Sequence, residues 1–552
     1  MLHNVGPLLT VDLGAGEVEE SSIDEINEAY IGGRGVATRL AHDRIPFDVD
    51  PLGPENRLVF TSGPLQSSDM SFTGRMNVTG VSPLTDGLLS SNAGGFLSRH
   101  FVGTGYSAVE LRGESDDLVV VHVTDEGVEF ESVPQLAGAT VPETTDYLEE
   151  EHDVEPEQTA VIGPAGENQV RFASIMTTKE RAFGRGGLGA VMGRKNVKAL
   201  TFEGDSSPEI EIPNVQRDVH RDAATMDHVM KEQGTTALVA LTNEMNGLPT
   251  EYYSKRHFDG ADGIDGEAVA SKKYKKGTCS KCAFACKLPT RDEATGLETE
   301  GPEFEVTMSF GSNSGVDDVV DVMKSNKLCD DLGLDAISAG NTIAAYLMAE
   351  DEFGNSELIW DLVEKIAHRE GVGDKLAEGI DRIHEDLGVE NWTVKGMDFA
   401  AHEGRVLNGQ GLSYAVANRG ADHLYATFYS VEYPLVDKEE ALPPEGTLGK
   451  VDRLIERENQ MALADSGVLC KFSRDAMNEE RYERLFDADF GDLLDVGSRT
   501  VTLERHFNNQ RGFDRSDDVL PYDIPDFEEA LEEYYEARGM TENGVVPESA
   551  VP

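Results

Sequence analysis

Residues 203–218 read EGDSSPEIEIPNVQRD, and the character of the chain changes across this stretch. Acidic, serine and proline residues crowd together here, which is typical of a domain boundary. Before it, short β-rich runs are separated by glycine turns, as in LVVVHVTDEGVEFESV at 118–133. After it, apolar residues recur with a helical period, as in residues 319–350. The sequence therefore predicts an α+β protein: a β-rich N-terminal domain followed by two mainly α-helical domains.

The length of the chain sets the number of domains. At 552 residues it exceeds what one hydrophobic core normally organises, so two or three domains are expected. We predict an antiparallel, sheet-based domain over residues 1–207. An α-helical domain over 208–400 and a second one over 401–552 follow it. The last dozen residues are expected to form a disordered tail.

The charge balance excludes several classes of partner. Asp and Glu number 103 against 48 Lys and Arg, for a formal net charge of -55. Because the acids are spread along the whole chain, nucleic acid is not an expected partner. Such a surface is typical of proteins adapted to high salt, which screens the repulsion, and indicates a halophilic source. Without a basic-then-apolar leader or a run of about 18 uncharged apolar residues, we expect a cytoplasmic protein without membrane contact.

Three of the five cysteines lie in one short segment. Residues 277–287 read GTCSKCAFACK and carry Cys279, Cys282 and Cys286 at C-x2-C-x3-C spacing. One loop can present three thiolates to one iron–sulfur cluster, and the fourth ligand of a [4Fe-4S] cluster often comes from a distant segment. Cys470 is the candidate for that ligand, whereas Cys329 reads as a small buried residue. A zinc ribbon is the alternative, but it needs a second C-x2-C pair, which the sequence lacks.

Two glycine–arginine segments and two aspartate motifs are further candidates for cofactor contacts. The first pair is IGGRGV at 31–36 and RAFGRGGLGAVMG at 181–193, in which glycine backbone and guanidinium groups can approach a phosphate. The second pair is DDLGLD at 330–335 and DSGVLC at 465–470. Each piece alone is as well explained by a structural turn or a helix cap. Two aspartate motifs, the second ending in a lone cysteine, suggest paired ligand contacts.

Together these segments resemble the aldehyde ferredoxin oxidoreductase family of tungstopterin enzymes. The resemblance covers nearly the whole chain, and the motifs occur in the family's order. Any one of them is weak evidence, but nine in order are hard to obtain by chance. They are IGGRG, GRMNVTGVSPLT at 74–85, SSNAGGF at 90–96, RAFGRGGLGAVMG, the cysteine segment, EGPEFE at 300–305, CDDLGLDAIS at 329–338, NRGADH at 418–423 and DSGVLCKF at 465–472.

The resemblance implies a fold and a set of cofactors. The β-rich domain forms a base for two pterins, and the two helical domains cover them. A tungsten (or molybdenum) bis-pyranopterin, magnesium bridging the pterin phosphates and a [4Fe-4S] cluster are implied. The implied pterin and magnesium contacts in the first domain are Arg75, Asn92, Gly94, Arg181 and Ala182. The implied contacts from the aspartate motifs are Asp330, Gly333, Leu334, Asp335 and Asp465, and the implied cluster ligands are Cys279, Cys282, Cys286 and Cys470.

The resemblance also implies an activity. Glu305 and His423 match the family's acid/base pair, with Glu303 as the alternative carboxylate. Burial is expected to raise the pKa of such a carboxylate, which would activate water while the histidine binds the aldehyde oxygen. The implied function is oxidation of an aldehyde to a carboxylic acid, with ferredoxin as electron acceptor. A related carboxylate or aromatic-acid reductase and a cluster-only electron carrier are the alternatives, and the aldehyde, the metal and the oligomeric state stay open.

Overall fold

The structure is a computed structural model that describes residues 1–434 and 441–552. Residues up to Glu203 form two six-stranded sheets, and most of the remaining chain is helical. This confirms the predicted α+β class, with a β-rich N-terminal region followed by helical ones. Among the described residues, no helix is both long and apolar enough to cross a lipid bilayer.

The two sheets contain all of the longer strands. The first sheet has the strand order β2-β1-β6-β3-β4-β5, and the second has the order β11-β10-β9-β12-β7-β8. The strands are β1 Leu8–Asp12, β2 Glu17–Ser21, β3 Leu58–Thr61, β4 Arg75–Val81, β5 Leu88–Gly94, β6 Ala108–Arg112, β7 Val119–Thr124, β8 Gly127–Ser132, β9 Thr159–Val161, β10 Ile175–Thr177, β11 Arg181–Phe183 and β12 Val197–Glu203. Two-residue strands form the small pairs β13 Thr290–Arg291 with β14 Glu298–Thr299, and β15 Thr393–Val394 with β16 Met397–Asp398.

Neither large sheet is purely antiparallel, so the prediction of an antiparallel domain is wrong in this respect. Strand β1 pairs in parallel with β6, with Leu8 opposite Ala108, and β12 pairs in parallel with β7. Parallel neighbours need a long crossover, and here the chain makes other strands and helices between them. The two sheets share one core, in which Phe60 of the first sheet packs edge-on against Phe183 of the second.

Helices flank the sheets and are the main regular elements of the rest of the described chain. Those within the β-rich region are α1 Asp24–Tyr30, α2 Gly33–Arg44, α3 Leu97–Gly103, α4 Val141–His152, α5 Pro164–Glu167 and α6 Leu188–Arg194. Those that follow, up to the second aspartate motif, are α7 Val215–Thr225, α8 Met230–Gln233, α9 Leu238–Glu244, α10 Gly266–Lys272, α11 Phe304–Val306, α12 Val319–Leu332, α13 Ala336–Glu350, α14 Ser356–His368, α15 Val372–Leu376, α16 Ile380–Leu387, α17 Asn408–Val416, α18 Tyr429–Glu432 and α19 Val451–Ser466. The last three are α20 Glu479–Phe486, α21 Phe490–Gln510 and α22 Phe527–Ala537.

The C-terminal residues are ordered against the rest of the protein, so the prediction of a disordered tail is wrong. Val546 is buried, and its backbone N–H donates to Asn509 Oδ1 at 3.0 Å. The backbone oxygen of Pro552 accepts a hydrogen bond from Arg39 NH1 at 2.9 Å. Apolar burial at Val546, together with these two hydrogen bonds, offsets the entropy lost on ordering a segment that looks polar in sequence.

Candidate functional site

A cavity of about 1020 Å³ is lined by residues of the β-rich region and of the helical regions that follow it. Its size is enough for a large cofactor or for a substrate beside one. Of the implied cofactor and catalytic residues, Gly333 and Cys282 are not on the cavity wall. Those on the wall are Arg75, Asn92, Gly94, Arg181, Ala182, Cys279, Cys286, Glu303, Glu305, Asp330, Leu334, Asp335, His423, Asp465 and Cys470.

The hairpin β4–β5 forms one wall of the cavity and lies against the cysteine segment. Arg75 pairs with Gly94 in register, and Arg75 NH2 donates to the backbone oxygen of Asn92 at 3.0 Å. A Cβ at Gly94 would lie 3.3 Å from Cys279 Sγ, so glycine lets the two segments approach closely. Ser280 N–H also donates to the backbone oxygen of Gly95 at 2.9 Å. The first domain and the cysteine segment therefore meet at this hairpin.

Asp465 connects the hairpin to the last turn of α19. Its Oδ1 accepts hydrogen bonds from Asn92 Nδ2 at 2.8 Å and from Lys471 Nζ at 2.6 Å. Its Oδ2 lies 3.3 Å from Arg34 NH1. Burial lowers the pKa of Lys471 to about 8, and its partner Asp465 acts in the opposite direction. The second aspartate motif is therefore held on the cavity wall by side chains of the β-rich region.

The first glycine–arginine segment serves a different purpose from the one considered in the sequence. The guanidinium of Arg34 makes two hydrogen bonds to Glu504 of α21, at 2.8 and 2.7 Å, and stacks over the ring of Tyr425. Only 1% of its side chain is exposed. Arg34 is therefore occupied in tying α2 to α21 and α19, and it is not available as a free phosphate ligand.

Four cysteines face one another beside the cavity. Gly277 and Lys287 exchange backbone hydrogen bonds of 3.4 and 3.2 Å, which closes a loop around Cys279, Cys282 and Cys286. Burial raises the pKa of Cys282, and the neighbouring Cys470 and Cys279 thiolates raise it further. Four cysteine sulfurs brought together from two segments make a donor set that fits a [4Fe-4S] cluster.

Cys470 joins the loop from a distant part of the sequence. Its backbone N–H donates to the backbone oxygen of Phe72 at 2.8 Å, and Cys470 packs in the same cluster as Cys282 and Cys286. Cys329, by contrast, is fully buried on α12 in the helical core. The structure therefore brings together the four cysteines that the sequence selects and places the fifth elsewhere.

The first aspartate motif spans the end of α12 and the start of α13. Gly333 ends α12 in a left-handed conformation with φ +74°, and Asp335 caps α13 by accepting from Ile337 N–H at 3.1 Å. Leu334 forms an isolated bridge with Ala173 of the β-rich region. Burial raises the pKa of Asp330 well above its ordinary value, and Glu180 adds to the effect. Asp330 is thus a buried carboxyl that favours its protonated, hydrogen-bond-donating form.

Glu305 lies between two histidines at the cavity. Its Oε1 is 3.1 Å from His423 Nε2 and 3.5 Å from His402 Nε2. Glu305 is on the one-turn helix α11, directly before a π-helical turn at Thr307–Gly311, a feature frequent at functional sites. The ring of His402 stacks on Tyr429 at a centroid distance of 3.5 Å. The three side chains form one hydrogen-bonding unit, named here the Glu–His pair cluster: Glu305, His402 and His423.

The pKa shift of Glu305 differs from the sequence-based expectation. Burial favours a raised pKa at Glu305, but the facing His423 and the hydrogen bonds of both histidines outweigh it and hold the pKa well below its ordinary value. The expectation of a raised pKa is therefore wrong, because two partners face the carboxylate. Burial lowers the pKa of His402 to about 4. Glu305 is consequently an ionised carboxylate beside a neutral His402 at neutral pH.

The alternative carboxylate, Glu303, is engaged elsewhere. It forms an ion pair with Lys287 of the cysteine segment, and its Oε2 accepts from Thr235 Oγ1 at 2.7 Å. Although burial favours a raised pKa at Glu303, Lys287 and Thr235 lower it. The contacts of Glu303 are those of a residue that holds the loop, whereas Glu305 contacts the two histidines.

Several polar atoms of the cavity residues are buried without a partner among the described residues. They include Arg185 NH1, Arg419 Nε and His423 Nδ1. Arg185 pairs with Asp398 Oδ1 at 2.9 Å through another nitrogen, so its free NH1 keeps hydrogen-bonding capacity. Buried unpaired donors are costly, and an anionic group such as a pterin phosphate satisfies them. The residues present therefore fit the implied cofactor.

Sequence reasoning missed His402 and Arg185. His402 lies in the segment AAHEG at 400–404, whose only signal is a histidine among small residues. Arg185 is the second arginine of RAFGRGG, and the residue singled out there was Arg181, which pairs with Glu300. Neither role follows from spacing, because the partners Glu305 and Asp398 are distant in sequence.

Comparison with known families gives a consistent result over the whole chain. A profile described as "Aldehyde ferredoxin oxidoreductase, N-terminal domain" matches residues 8–204, and one described as "Aldehyde ferredoxin oxidoreductase, domains 2 & 3" matches residues 212–551. The chain is 34% identical to a tungsten-containing aldehyde ferredoxin oxidoreductase of Pyrococcus furiosus, with 99% of this chain and 98% of the relative covered. It is also 34% identical to the protein of that name from Thermococcus kodakarensis, with the same coverage.

More distant relatives carry other names. The aliphatic sulfonate oxidoreductase, WOR-like subunit, of Pyrococcus furiosus is 26% identical over 99% of this chain and 96% of the relative. The solved active-site complex BamBC of benzoyl coenzyme A reductase aligns with a TM-score of 0.84 at 23% identity. It covers 99% of this chain and 96% of that chain. This second likeness concerns the fold alone.

Proposed function

The chain belongs to the aldehyde ferredoxin oxidoreductase family of tungsten-pterin oxidoreductases, and from that membership we propose that it oxidises an aldehyde to the corresponding carboxylic acid. The aldehyde and one water give the acid, two protons and two electrons. Ferredoxin accepts the electrons one at a time. The observation that carries the proposal is the ionised Glu305 held between His423 and His402 on the wall of the cavity.

The residues that would hold the pterins lie on both sides of the cavity. Arg75, Asn92, Gly94, Arg181 and Ala182 line it from the β-rich region, and the aspartate motifs line it through Asp330, Leu334, Asp335 and Asp465. When bound, the tungsten (or molybdenum) bis-pyranopterin accepts the electron pair of the oxidation and polarises the reacting oxygen as a Lewis acid. Magnesium would balance the negative charge of the pterin phosphates, and Arg185 NH1, unpaired among the described residues, could donate a hydrogen bond to such an anionic group.

The cysteines would provide the route out for the electrons. Cys279, Cys282, Cys286 and Cys470 would hold the [4Fe-4S] cluster on the side of the cavity where Gly94 meets Cys279. Because Cys279, Cys286 and Cys470 line the same cavity as the implied pterin contacts, a cluster held by them would lie next to the pterin site. All four cysteines are partly exposed, which suits transfer to an external protein.

The three residues of the Glu–His pair cluster have different roles in the reaction. Glu305, ionised and buried, accepts the proton of the water whose oxygen enters the product. His423 lines the same cavity, and its Nε2, 3.1 Å from Glu305 without substrate, would turn from the carboxylate to donate to the aldehyde oxygen when substrate binds. His402 is neutral and is fixed by stacking on Tyr429 and by Tyr433 OH, 3.0 Å from its Nδ1. It therefore positions Glu305 and does not supply a proton at neutral pH.

The wall near this cluster favours aldehydes with an apolar substituent. Leu238, Leu241 and Val431 line the cavity, and Leu238 packs beside Tyr429 and Tyr433. An apolar wall binds alkyl or aryl groups by excluding water and offers few partners to sugar hydroxyls.

A substrate panel tests the proposal. Purified holoenzyme is assayed without oxygen for ferredoxin reduction by aliphatic and aromatic aldehydes, glyceraldehyde 3-phosphate, an alkane sulfonate and, in the reductive direction, benzoyl coenzyme A. We expect turnover with the apolar aldehydes and a kcat/KM at least tenfold lower with the phosphorylated one. Turnover with the sulfonate or the thioester and none with any aldehyde would overturn the proposal.

A further inference from the structure

The cysteine segment and the residues around it are positively charged, although the chain as a whole is strongly acidic. Residues 268–291 contain six of the 19 lysines and one arginine but no Asp or Glu, in a protein whose net charge is -55. The lysines in this stretch are Lys272, Lys273, Lys275, Lys276, Lys281 and Lys287. This local positive charge surrounds three of the cluster cysteines in the sequence.

Three of these lysines are exposed and mark out a surface, named here the lysine rim: Lys275, Lys276 and Lys281. Lys275 and Lys276 directly precede Gly277, whose hydrogen bonds with Lys287 close the cysteine loop. Lys281 lies within the loop between Cys279 and Cys282, in a left-handed conformation with φ +59°. The rim lysines therefore stand at the start of the cysteine loop and within it.

The rim lysines have few acidic partners within the described part of the protein. Lys275 and Lys276 form no ion pair with any residue in the described ranges 1–434 and 441–552. Lys281 pairs with Asp69 at 3.2 Å, but 57% of Lys281 and 86% of Asp69 are exposed. An exposed pair of this kind is weak and can be exchanged for a carboxylate of another protein. Lys272 and Lys287, in contrast, are engaged with Asp292 and Glu303.

We propose that the lysine rim is the docking surface for an acidic ferredoxin. The inference rests on the proposed function, since it assigns the place where the electrons leave. An acidic carrier is repelled by a surface of net charge -55 and attracted where the lysine rim borders the cluster cysteines, so charge favours one orientation of the partner. Screening at high salt removes long-range attraction but leaves ion pairs in direct contact, because the Debye length of about 3 Å at 1 M is comparable with their separation.

The test compares a triple variant with a matched control. In Lys275→Gln/Lys276→Gln/Lys281→Gln holoenzyme, kcat/KM for an acidic ferredoxin should fall about tenfold, from three contacts of the strength usual at an exposed rim. Turnover of aldehyde with benzyl viologen, a small dye that needs no protein interface, should stay within twofold of wild type. Lys255→Gln/Lys365→Gln/Lys375→Gln, which changes the net charge equally at other exposed lysines, should behave as wild type in both assays.

The outcomes separate the docking surface from the proposed function. Unchanged ferredoxin kinetics in the rim variant, or an equal loss in the control, would overturn the docking proposal while viologen turnover still supports aldehyde oxidation. Absence of aldehyde-dependent viologen reduction by the wild type would instead overturn the proposed function. Iron analysis of the rim variant should give the wild-type content, and a loss of iron would assign these lysines to cluster binding and overturn docking.

A second inference rests on a different group of side chains, at the edge of the second sheet. His122 of β7, Glu131 of β8 and His152 at the end of α4 place their ligand atoms within 4.8 Å of one another. Glu131 Oε2 lies 3.3 Å from His122 Nε2 and 3.0 Å from His152 Nε2. Tetrahedral ligands at the usual Zn–N and Zn–O bond lengths are separated by about 3.3 Å, so little movement is needed to admit an ion.

Two of these ligands, Glu131 and His122, are also oriented by a second partner. Tyr147 OH donates to Glu131 Oε1 at 2.7 Å, and His122 Nδ1 lies 2.9 Å from Thr201 Oγ1. Such outer contacts are what fix the tautomer and direction of metal-binding histidines and carboxylates. Glu149 stands three residues before His152, but it is exposed and outside this group.

We infer that His122, Glu131 and His152 bind one Zn²⁺, with water as the fourth ligand, and thereby tie α4 to the sheet edge. Isothermal titration of EDTA-washed holoenzyme with Zn²⁺ should show one tight site per chain. His122→Ala and His152→Ala should each lose it, whereas His368→Ala, which removes an exposed histidine paired with a single glutamate, should keep it. Zn²⁺ should raise the melting temperature only of proteins that keep the site. Equal binding in all four proteins, or weak binding alone in the wild type, would overturn the assignment.

Discussion

A substitution at Glu305 can separate the effect of its charge from the effect of its size. Glu305→Gln keeps the size of the side chain but removes the negative charge that His423 and His402 face. Replacing a general base typically lowers the rate by about 10²–10⁴-fold. We expect a loss of aldehyde oxidation of that size, with tungsten (or molybdenum), pterin and iron contents at wild-type levels, measured by turnover and elemental analysis.

Glu303→Gln is the matched control for that variant. Glu303 pairs with Lys287 and Thr235 and does not belong to the Glu–His pair cluster, so its loss should change the rate less than tenfold. A larger loss in Glu303→Gln than in Glu305→Gln would move the base by two positions. Loss of cofactor from the Glu305 variant would make that residue structural.

The cysteines allow a second test at this scale. Cys470→Ala should abolish the electron paramagnetic resonance signal of the reduced cluster and ferredoxin reduction, because a [4Fe-4S] cluster needs four ligands. Cys329→Ala should keep both, since Cys329 is buried on α12. An intact four-iron signal in Cys470→Ala protein would remove Cys470 from the ligand set.

Motifs located most of the candidate site, and contacts between distant segments account for what they missed. Glu305 and His423 stand in motifs that could be matched, and the structure places them 3.1 Å apart. The role of His402 depends on its contact with Glu305 and on stacking with Tyr429, neither of which leaves a local pattern. The predicted direction of the pKa shift at Glu305 was wrong for the same reason, because the contact of His402 with Glu305 cannot be read from the sequence.

At the scale of an element, the end of α12 has no room for a Cβ atom at Gly333. Gly333 has φ +74°, and a Cβ there would lie 2.7 Å from Gly163 N. A left-handed alanine costs about 1–2 kcal/mol and overpacking about 1–3 kcal/mol more. Gly333→Ala should therefore lower the free energy of unfolding by about 2–5 kcal/mol in denaturant titration.

Gly388 is the control for this substitution. It ends α16 with φ +68°, and a Cβ there would have no neighbour within 4 Å. Gly388→Ala should lower the free energy of unfolding only by the cost of a left-handed alanine, about 1–2 kcal/mol. Equal losses in the two variants would show that the close approach of α12 to Gly163 contributes nothing.

Local composition predicted the type of the elements but not their pairing. The β-rich runs and the helical periods on either side of residues 203–218 became strands and helices as expected. The parallel pairing of β1 with β6 depends on contacts such as Leu8 opposite Ala108. Local periodicity cannot predict them, because the two residues are distant in sequence. The C-terminal segment was misjudged similarly, because its order depends on Asn509 and Arg39.

At the scale of the whole molecule, net charge governs stability. A charge of -55 on 552 residues repels itself strongly, and the Debye length shortens from about 10 Å at 0.1 M salt to about 3 Å at 1 M. We expect the melting temperature to rise steadily between these salt concentrations and activity to be lost reversibly in dilute buffer. A melting temperature and activity unchanged by salt would contradict the predicted halophilic adaptation.

The most direct test of aldehyde oxidation at this site is a count of electrons per aldehyde. Purified holoenzyme, analysed for tungsten, molybdenum and iron, receives a limiting amount of an apolar aldehyde and excess one-electron ferredoxin under anaerobic conditions. The proposed reaction predicts one carboxylic acid formed and two ferredoxins reduced for each aldehyde consumed, with tungsten or molybdenum and four irons per chain. Iron without tungsten or molybdenum, or aldehyde left unconsumed while ferredoxin stays oxidised, would contradict it.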